Sequence, residues 1–221
     1  MNLNQTYPFV NPPLPYAADG LEPYIDTKTM MLHHDAHLQT YVDNLNKALA
    51  DYPQLQKLTL TELVTFACEM PWEIRDAVRN NAGGVWNHIM YFEQMAPADK
   101  AEKPSGKLLS MINSRFGSFE DFKKEFEKAG LSVFGSGSGW LVTDRNEQLQ
   151  IVTTPNQDNP LQSGLRPLMI LDVWEHAYYL KHYNKRADYI EDWWHVVDFS
   201  KVEKNLLSES ENGTFSLSSL L

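Results

Sequence analysis

Hydrophobic residues recur every three or four positions through much of the first half of the chain, which is the spacing of an amphipathic helix. The pattern begins after Asp26, which can serve as an N-cap, and continues to Leu49, so it predicts one long helix. Thr59 and Glu62 then form a capping-box pattern. This pattern predicts a short second helix that Pro71 ends.

A third helical stretch is predicted over about residues 73–94. Gly83-Gly84 lie inside it, where they either kink the helix or let another group approach its backbone closely. The segment 96–105 breaks the helical pattern and is rich in Pro, Lys and Ala. That composition is typical of a linker between two subdomains.

The second half of the chain changes from helical to strand periodicity. Two further helical patterns come first, and Ser118 can cap the second of them. The apolar segments 140–142 and 149–153 then flank a polar turn, which predicts a hairpin that a third strand over 168–171 can extend. A last helix is predicted over about residues 189–196.

These elements predict an α+β fold. Residues 1–97 comprise a proline-rich arm and a helical subdomain built on a long helical hairpin. Residues 105–206 form a mixed subdomain, in which a three-stranded antiparallel sheet packs with helices. Residues 207–221 are rich in Ser and show little core pattern, so we expect them to be a mobile tail.

Composition excludes several classes of protein. No run reaches the roughly 18 apolar residues of a membrane span, and the first residues lack the basic start and apolar core of a secretory signal. We therefore expect a cytoplasmic protein that does not bind membranes. The single cysteine, Cys68, excludes an internal disulfide or a Cys-rich metal site, and we expect it to pack in the core. A net charge of −10 argues against nucleic acid as a partner.

Candidate chemistry begins where a predicted strand ends. Asp172 follows an apolar run, and His176 lies four residues later, where a helix is predicted from Glu175 onward. A carboxylate and an imidazole at this spacing can be presented together to a metal ion. Taken alone, however, the pair is more typical of a buried histidine that a nearby carboxylate satisfies.

The other histidines change this interpretation. His33, His37 and Tyr41 share one face of the first helix, although a solvated face would show the same pattern. His88 alone is more typical of a core histidine. Together, however, four side chains form a set of three imidazoles and one carboxylate that suits iron or manganese. This set is His33, His88, Asp172 and His176.

Over about residues 7–206 the chain resembles the iron/manganese superoxide dismutases. The segment Asp172–Tyr179 fits the metal-binding pattern of that family at every position. His33-His34, Trp86-Asn87-His88 and Leu14-Pro15-Tyr16 occur in the expected order and spacing. The resemblance implies four metal ligands, which are His33, His88, Asp172 and His176.

The resemblance also implies a reaction and an assembly. One superoxide would reduce M(III) and leave as dioxygen, and a second would reoxidise M(II) and leave as hydrogen peroxide. His37 and Tyr41 would guard the substrate channel, and Trp174 would line the pocket. Glu175 and Tyr179 would reach across the two-fold axis of a homodimer, and a tetramer stays open as the alternative assembly.

One metal ion per subunit is expected, and two positions bear on its identity. Gln157 matches the position from which manganese enzymes of the family usually supply an amide to the metal-bound solvent. Gly84 matches the position at which iron enzymes usually carry that glutamine. The combination indicates manganese with iron as the alternative, although an isolated loop glutamine can equally be solvated.

The chain also departs from the family pattern. Ser138 stands where a pocket Trp is usual, and Phe92 replaces another Trp, so the aromatic wall is smaller. These changes leave open a metal-binding paralogue with low or no dismutase activity. A helical interaction module with a structural metal is a second alternative, which would not need His37, Tyr41 and Gln157 where they are. Three further departures are Tyr24, Leu38 and Ala36.

Overall fold

The structure is a computed structural model that describes residues 2–208. Its helices are α1 (Thr27–Met31), α2 (Gln39–Leu49), α3 (Leu60–Thr65), α4 (Arg75–Glu93), α5 (Gly106–Phe116), α6 (Phe119–Ser132), α7 (Tyr179–His182), α8 (Arg186–Trp193) and α9 (Phe199–Leu207). Its strands are β1 (Gly137–Thr143), β2 (Leu149–Pro155) and β3 (Arg166–Asp172). Short 3-10 turns lie at Asn2–Asn4, Leu55–Lys57, Ala67–Glu69, Pro160–Ser163 and Glu175–Ala177.

This order of elements confirms the predicted α+β fold, with a helical first half and a mixed second half. Of the predicted mobile tail, only residues 207 and 208 are described, and residues 209–221 lie outside the described part of the chain. Within residues 2–208, no helix is both long and apolar enough to cross a membrane.

The predicted first helix is one continuous structure with a wider middle. Asp26 caps it by accepting a hydrogen bond from the Thr29 amide at 2.9 Å, as the sequence predicts. Between α1 and α2 the segment Leu32–Leu38 is a π-helix rather than an α-helix. Such segments are rare and occur often at functional sites. This one carries His33 and His37.

Helix α4 is buried along most of its length because its glycine pair permits close contact. A methyl group on Gly83 would lie 2.2 Å from the backbone oxygen of Gln157. A methyl group on Gly84 would lie 2.5 Å from the ring of Tyr41. The glycines therefore allow other groups to approach the backbone of α4 closely, which was the second of the two predicted alternatives. The loop after β2 and the side chain of Tyr41 both reach the surface of α4 at this point.

The three strands form an antiparallel sheet in the order β2-β1-β3, which confirms the predicted hairpin and its third strand. The central strand β1 is buried along its whole length. Asp172, the last residue of β3, stands directly opposite Ser138 in the register of the two strands. Their side chains therefore share one face of the sheet.

Side chains from helices satisfy the free edge of β3. The amide of Gln94 bonds to both the backbone nitrogen and the backbone oxygen of Ile170. Asn205 on α9 donates to the oxygen of Leu168 at 3.0 Å. Unpaired backbone groups on a buried edge are costly, so these bonds stabilise the position of β3.

Three local predictions need correction. Helix α3 ends at Thr65, before Pro71, and Cys68 in the turn that follows is exposed rather than packed in the core. The predicted helix from Glu175 is a 3-10 turn followed by the short α7. Helix α9 was missed, although Asp198 caps it and its apolar positions have helical spacing.

The close contact at Gly83 makes a testable prediction. We expect Gly83→Ala to lower the free energy of unfolding by about 1–3 kcal/mol, because the added methyl group would collide with a backbone oxygen that cannot rotate away. Helix propensity alone would favour alanine by about 1 kcal/mol, so the sign of the change distinguishes the two effects. Chemical denaturation would measure it.

Gly139→Ala is the matched control. A methyl group there would meet no described atom closer than 3.7 Å, so we expect a change within about 1 kcal/mol of zero. A Gly83→Ala protein as stable as the wild type would show that the loop after β2 is not in close contact with α4 at Gly83.

Candidate metal centre

The structure brings four side chains together from three parts of the chain. His33 comes from the π-helical segment and His88 from the middle of α4. Asp172 ends β3, and His176 lies in the 3-10 turn that follows. One nitrogen or oxygen atom of each lies within 4.8 Å of the others. The convergence predicted from the sequence is therefore present in the fold.

The free nitrogen atoms of this cluster fit a metal ion. His88 Nδ1 lies 2.6 Å from the backbone oxygen of Gly84, so that nitrogen carries the proton and Nε2 keeps its lone pair. Within residues 2–208, the Nε2 atoms of His33, His88 and His176 have no hydrogen-bond partner although they are buried. Buried polar atoms are seldom left unpaired, and imidazole nitrogens are common metal ligands.

The carboxylate completes the set. Asp172 Oδ1 accepts a hydrogen bond from the Trp174 amide at 2.8 Å, which leaves Oδ2 directed at the histidines. Oδ2 lies 3.2 Å from His33 Nε2 and 3.4 Å from His176 Nε2, without the geometry of a hydrogen bond. Three imidazoles and one carboxylate with these free atoms could hold manganese or iron.

The protonation states also fit a metal ion. Burial lowers the pKa of His33 to about 4 and holds the pKa of His88 well below its usual value. Both imidazoles are therefore neutral at neutral pH, as a metal ligand must be. Burial alone would raise the pKa of Asp172, but the adjacent His176 and His33 lower it below its usual value. The aspartate is therefore ionised.

Tyr41 and Gln157 lie together beside the cluster. The ring of Tyr41 is 5.3 Å from that of His88, and Gln157 Nε2 donates to the Tyr41 hydroxyl at 3.3 Å. Gln157 is buried, and its Oε1 accepts a hydrogen bond from Asn87 Nδ2 at 2.9 Å. The loop after β2 thus presents an amide to the same side of the cluster as Tyr41.

Aromatic rings surround the imidazoles. His37 is exposed and stacks on His176 with ring centroids 4.3 Å apart, and Trp174 covers another part of His176 at 5.4 Å. Phe92, which stands where a larger ring is usual, still contacts His33 edge-on at 4.9 Å. Ser138 is buried opposite Asp172 and supplies no ring.

Sequence reasoning missed the groups that hold Gln157. Asn159 is buried, and its amide donates to Asn87 Oδ1 at 2.8 Å. Arg79 forms a two-pronged ion pair with Asp158 at 2.7 and 2.6 Å. In the sequence, the position of Asn87 beside His88 was the only sign of this network. The partners of Asn87 lie some 70 residues further along the chain.

Two predicted site residues lie away from the cluster. Glu175 and Tyr179 are exposed on the surface next to His176, and Tyr179 packs edge-on against Tyr183 at 6.4 Å. The structure therefore separates the ten predicted residues into eight at the cluster and two at the surface. The eight are His33, His37, Tyr41, His88, Gln157, Asp172, Trp174 and His176.

Known proteins match the chain along most of its length. Residues 8–96 match the alpha-hairpin domain of the iron/manganese superoxide dismutases, and residues 104–205 match the C-terminal domain of the same family. The chain is 48% identical over 200 residues to superoxide dismutase (Mn) 3 of Leptolyngbya boryana, which covers 90% of this chain and 83% of that protein. It is 46% identical over 199 residues to superoxide dismutase (Mn) 2 of Bacillus anthracis, covering 90% of this chain and 95% of that one. Two domain matches in the right order, together with relatives this similar, mean that the chain belongs to the iron/manganese superoxide dismutase family.

Proposed function

We propose that this protein is a superoxide dismutase that holds one manganese ion per chain, with iron as the alternative metal. Two superoxide ions and two protons would give one dioxygen and one hydrogen peroxide. The observation that carries the proposal is the convergence, in a chain of this family, of three unpaired imidazole nitrogens with one carboxylate oxygen. The relatives in Leptolyngbya boryana and Bacillus anthracis are named as manganese superoxide dismutases, which supports the choice of metal.

The proposed ligands are the three histidines and Asp172. When bound, the metal ion supplies the one-electron redox chemistry, by cycling between M(III) and M(II). Three neutral imidazoles and one carboxylate can hold both oxidation states with little change of geometry. The four ligands come from a π-helical segment, α4, the end of an edge strand and the turn after it, and each of these elements has buried residues.

Tyr41 is the proposed source of a proton. Burial raises the pKa of its hydroxyl, so the group stays protonated at neutral pH. The Gln157 amide donates to the Tyr41 oxygen at 3.3 Å, so the hydroxyl hydrogen remains available to another acceptor. Forming hydrogen peroxide consumes protons, and Tyr41 stands beside the cluster where one is needed. His37, exposed above His176, is proposed to guard the entrance.

The assembly is proposed to be a homodimer in which Glu175 and Tyr179 cross the two-fold axis. Both are exposed although each lies close to His176 in sequence. Tyr179 packs against Tyr183, which is itself 64% exposed. Large exposed apolar side chains near one another are typical of an interface. A tetramer and a cytoplasmic location stay predictions, which light scattering and cell fractionation would check.

Metal content is the first test of the proposal. We expect purified protein to contain about one manganese or iron ion per chain, and His88→Ala to lose most of it because one ligand would be missing. His195→Ala is the control, since His195 is exposed and stacks on Tyr24 away from the cluster. Elemental analysis would measure both. Zinc as the sole metal, or full occupancy in His88→Ala, would contradict the proposed site.

Metal preference gives a second test. We expect protein reconstituted with manganese to consume superoxide much faster than the iron form, because Gln157 reaches the cluster from the loop after β2 and position 84 is glycine. Gln157→Ala should lower the manganese activity by about 10–100-fold while the metal stays bound. Gln148→Ala, on an exposed turn, should leave it unchanged.

The outcome of this assay separates the alternatives left open by the sequence. Equal or greater activity with iron would contradict the manganese assignment. Full metal occupancy with no activity for either metal would instead favour a metal-binding paralogue.

The interface gives a third test. We expect Glu175→Ala to weaken the dimer and the activity together, because each of two equivalent partners would lose a hydrogen bond across the axis at a cost of about 1–3 kcal/mol. Glu125→Ala, an exposed glutamate on α6, should change neither. Sedimentation velocity would follow the assembly. A wild-type protein that is monomeric and fully active would refute the proposed interface.

A further inference from the structure

Two buried tyrosines contact residues of the proposed metal centre. The hydroxyl of Tyr189, from α8, lies 2.8 Å from the backbone oxygen of Asp172. The hydroxyl of Tyr91, from α4, lies 2.9 Å from that of Tyr189. Tyr91 follows His88 by three residues, so the pair connects α8 to both the helix and the strand that carry metal ligands.

The direction of these hydrogen bonds follows from counting hydrogens. A phenol has one, and Tyr189 donates its hydrogen to the oxygen of Asp172. Tyr91 must therefore donate to the oxygen of Tyr189. A chain of two such bonds in a dry interior is stronger than two separate ones.

The pair of hydrogen bonds ends at Asp172, the proposed ligand at the end of β3. Asp172 is the last residue of an edge strand, so within residues 2–208 no further strand bonds to its backbone oxygen on that side. The Trp174 amide fixes one oxygen of the carboxylate, and Tyr189 fixes the backbone oxygen of the same residue. The ring of Tyr91 also lies 5.3 Å from that of His33, at a tilt of 36°. The two phenols therefore contact two of the proposed ligands.

We propose that Tyr189 and Tyr91 are positioning residues of the metal centre, which hold Asp172 and His33 at the separation the metal requires. This inference rests on the proposed metal site. Neither phenol reaches the reacting atoms, so the pair acts on how tightly the metal is held and on the field around it. Asn205 and Gln94 bond to backbone groups of the same strand at Leu168 and Ile170. Their bonds are further from the proposed metal and hold only the sheet.

Removing single hydroxyl groups tests this role. We expect Tyr189→Phe to release manganese about 10-fold faster than the wild type and to change the electron paramagnetic resonance spectrum of the Mn(II) protein. Tyr91→Phe should change both in the same direction but less, because the bond to Asp172 would survive. The double variant should release metal no faster than Tyr189→Phe, since the Tyr91 hydroxyl acts through Tyr189.

Asn205→Leu is the matched control, because it removes one side-chain bond to a carbonyl of the same strand, at Leu168. It should lower the thermal midpoint while leaving metal release and the spectrum unchanged. If Asn205→Leu changes them as much as Tyr189→Phe, the effect is general loosening and the inference is wrong. If Tyr189→Phe does not fold, Tyr91→Phe is compared with Asn205→Leu on the same two readouts.

The design also separates this inference from the proposed function. A wild-type protein that binds neither manganese nor iron would refute the metal site itself. A wild-type protein that binds manganese normally, with Tyr189→Phe and Tyr91→Phe indistinguishable from it in metal release and spectrum, would refute only the positioning role.

Discussion

The burial of one carboxylate among three imidazoles is the constraint on which the rest of this structure depends. An isolated buried charge is costly, and three imidazole nitrogens with no hydrogen-bond partner in the described chain add to the cost. A cation at the centre would offset all of these terms at once. Each member comes from an element with buried residues that pack in the core.

Several unusual local features serve this one requirement. The π-helical segment widens the first helix where it carries His33, and the glycine pair in α4 admits the Tyr41 ring and the backbone of Gln157. Either feature would weaken an ordinary helix, because glycine is a poor helix former and π-helical geometry is rarely stable. Both occur on the helices that carry ligands, where close approach matters more than helix propensity.

Two separate hydrogen-bond networks contact the proposed centre. The Tyr41 hydroxyl and the Gln157 amide form a polar network that extends through Asn87. Tyr189 and Tyr91 form a buried network that ends on the backbone oxygen of Asp172. The first network contains Tyr41, the proposed source of a proton, whereas the second contacts the proposed ligands Asp172 and His33. A redox centre of this kind needs a proton source and also ligands that keep their positions. Ligands that move between oxidation states would slow electron transfer.

Features that depend on neighbours in sequence could be read from the sequence itself. These include the Asp26 and Ser118 caps, the capping box at Thr59, the hairpin and the α+β fold, because hydrophobic periodicity and capping act within a few residues. The set of four proposed ligands was also predictable from the residue types taken together, and the family resemblance indicated the same four residues. Taken alone, His88 is more typical of a core histidine.

Tertiary structure decided the features that depend on contacts across the chain. Whether Gly83 kinks α4 or allows another group to approach it depends on the backbone of Gln157, which lies 74 residues further along the sequence. The partners that hold Gln157 and the pairing of Tyr91 with Tyr189 join residues about 70 to 100 apart. No local pattern encodes such pairs, because their hydrogen bonds exist only after packing excludes water from both partners.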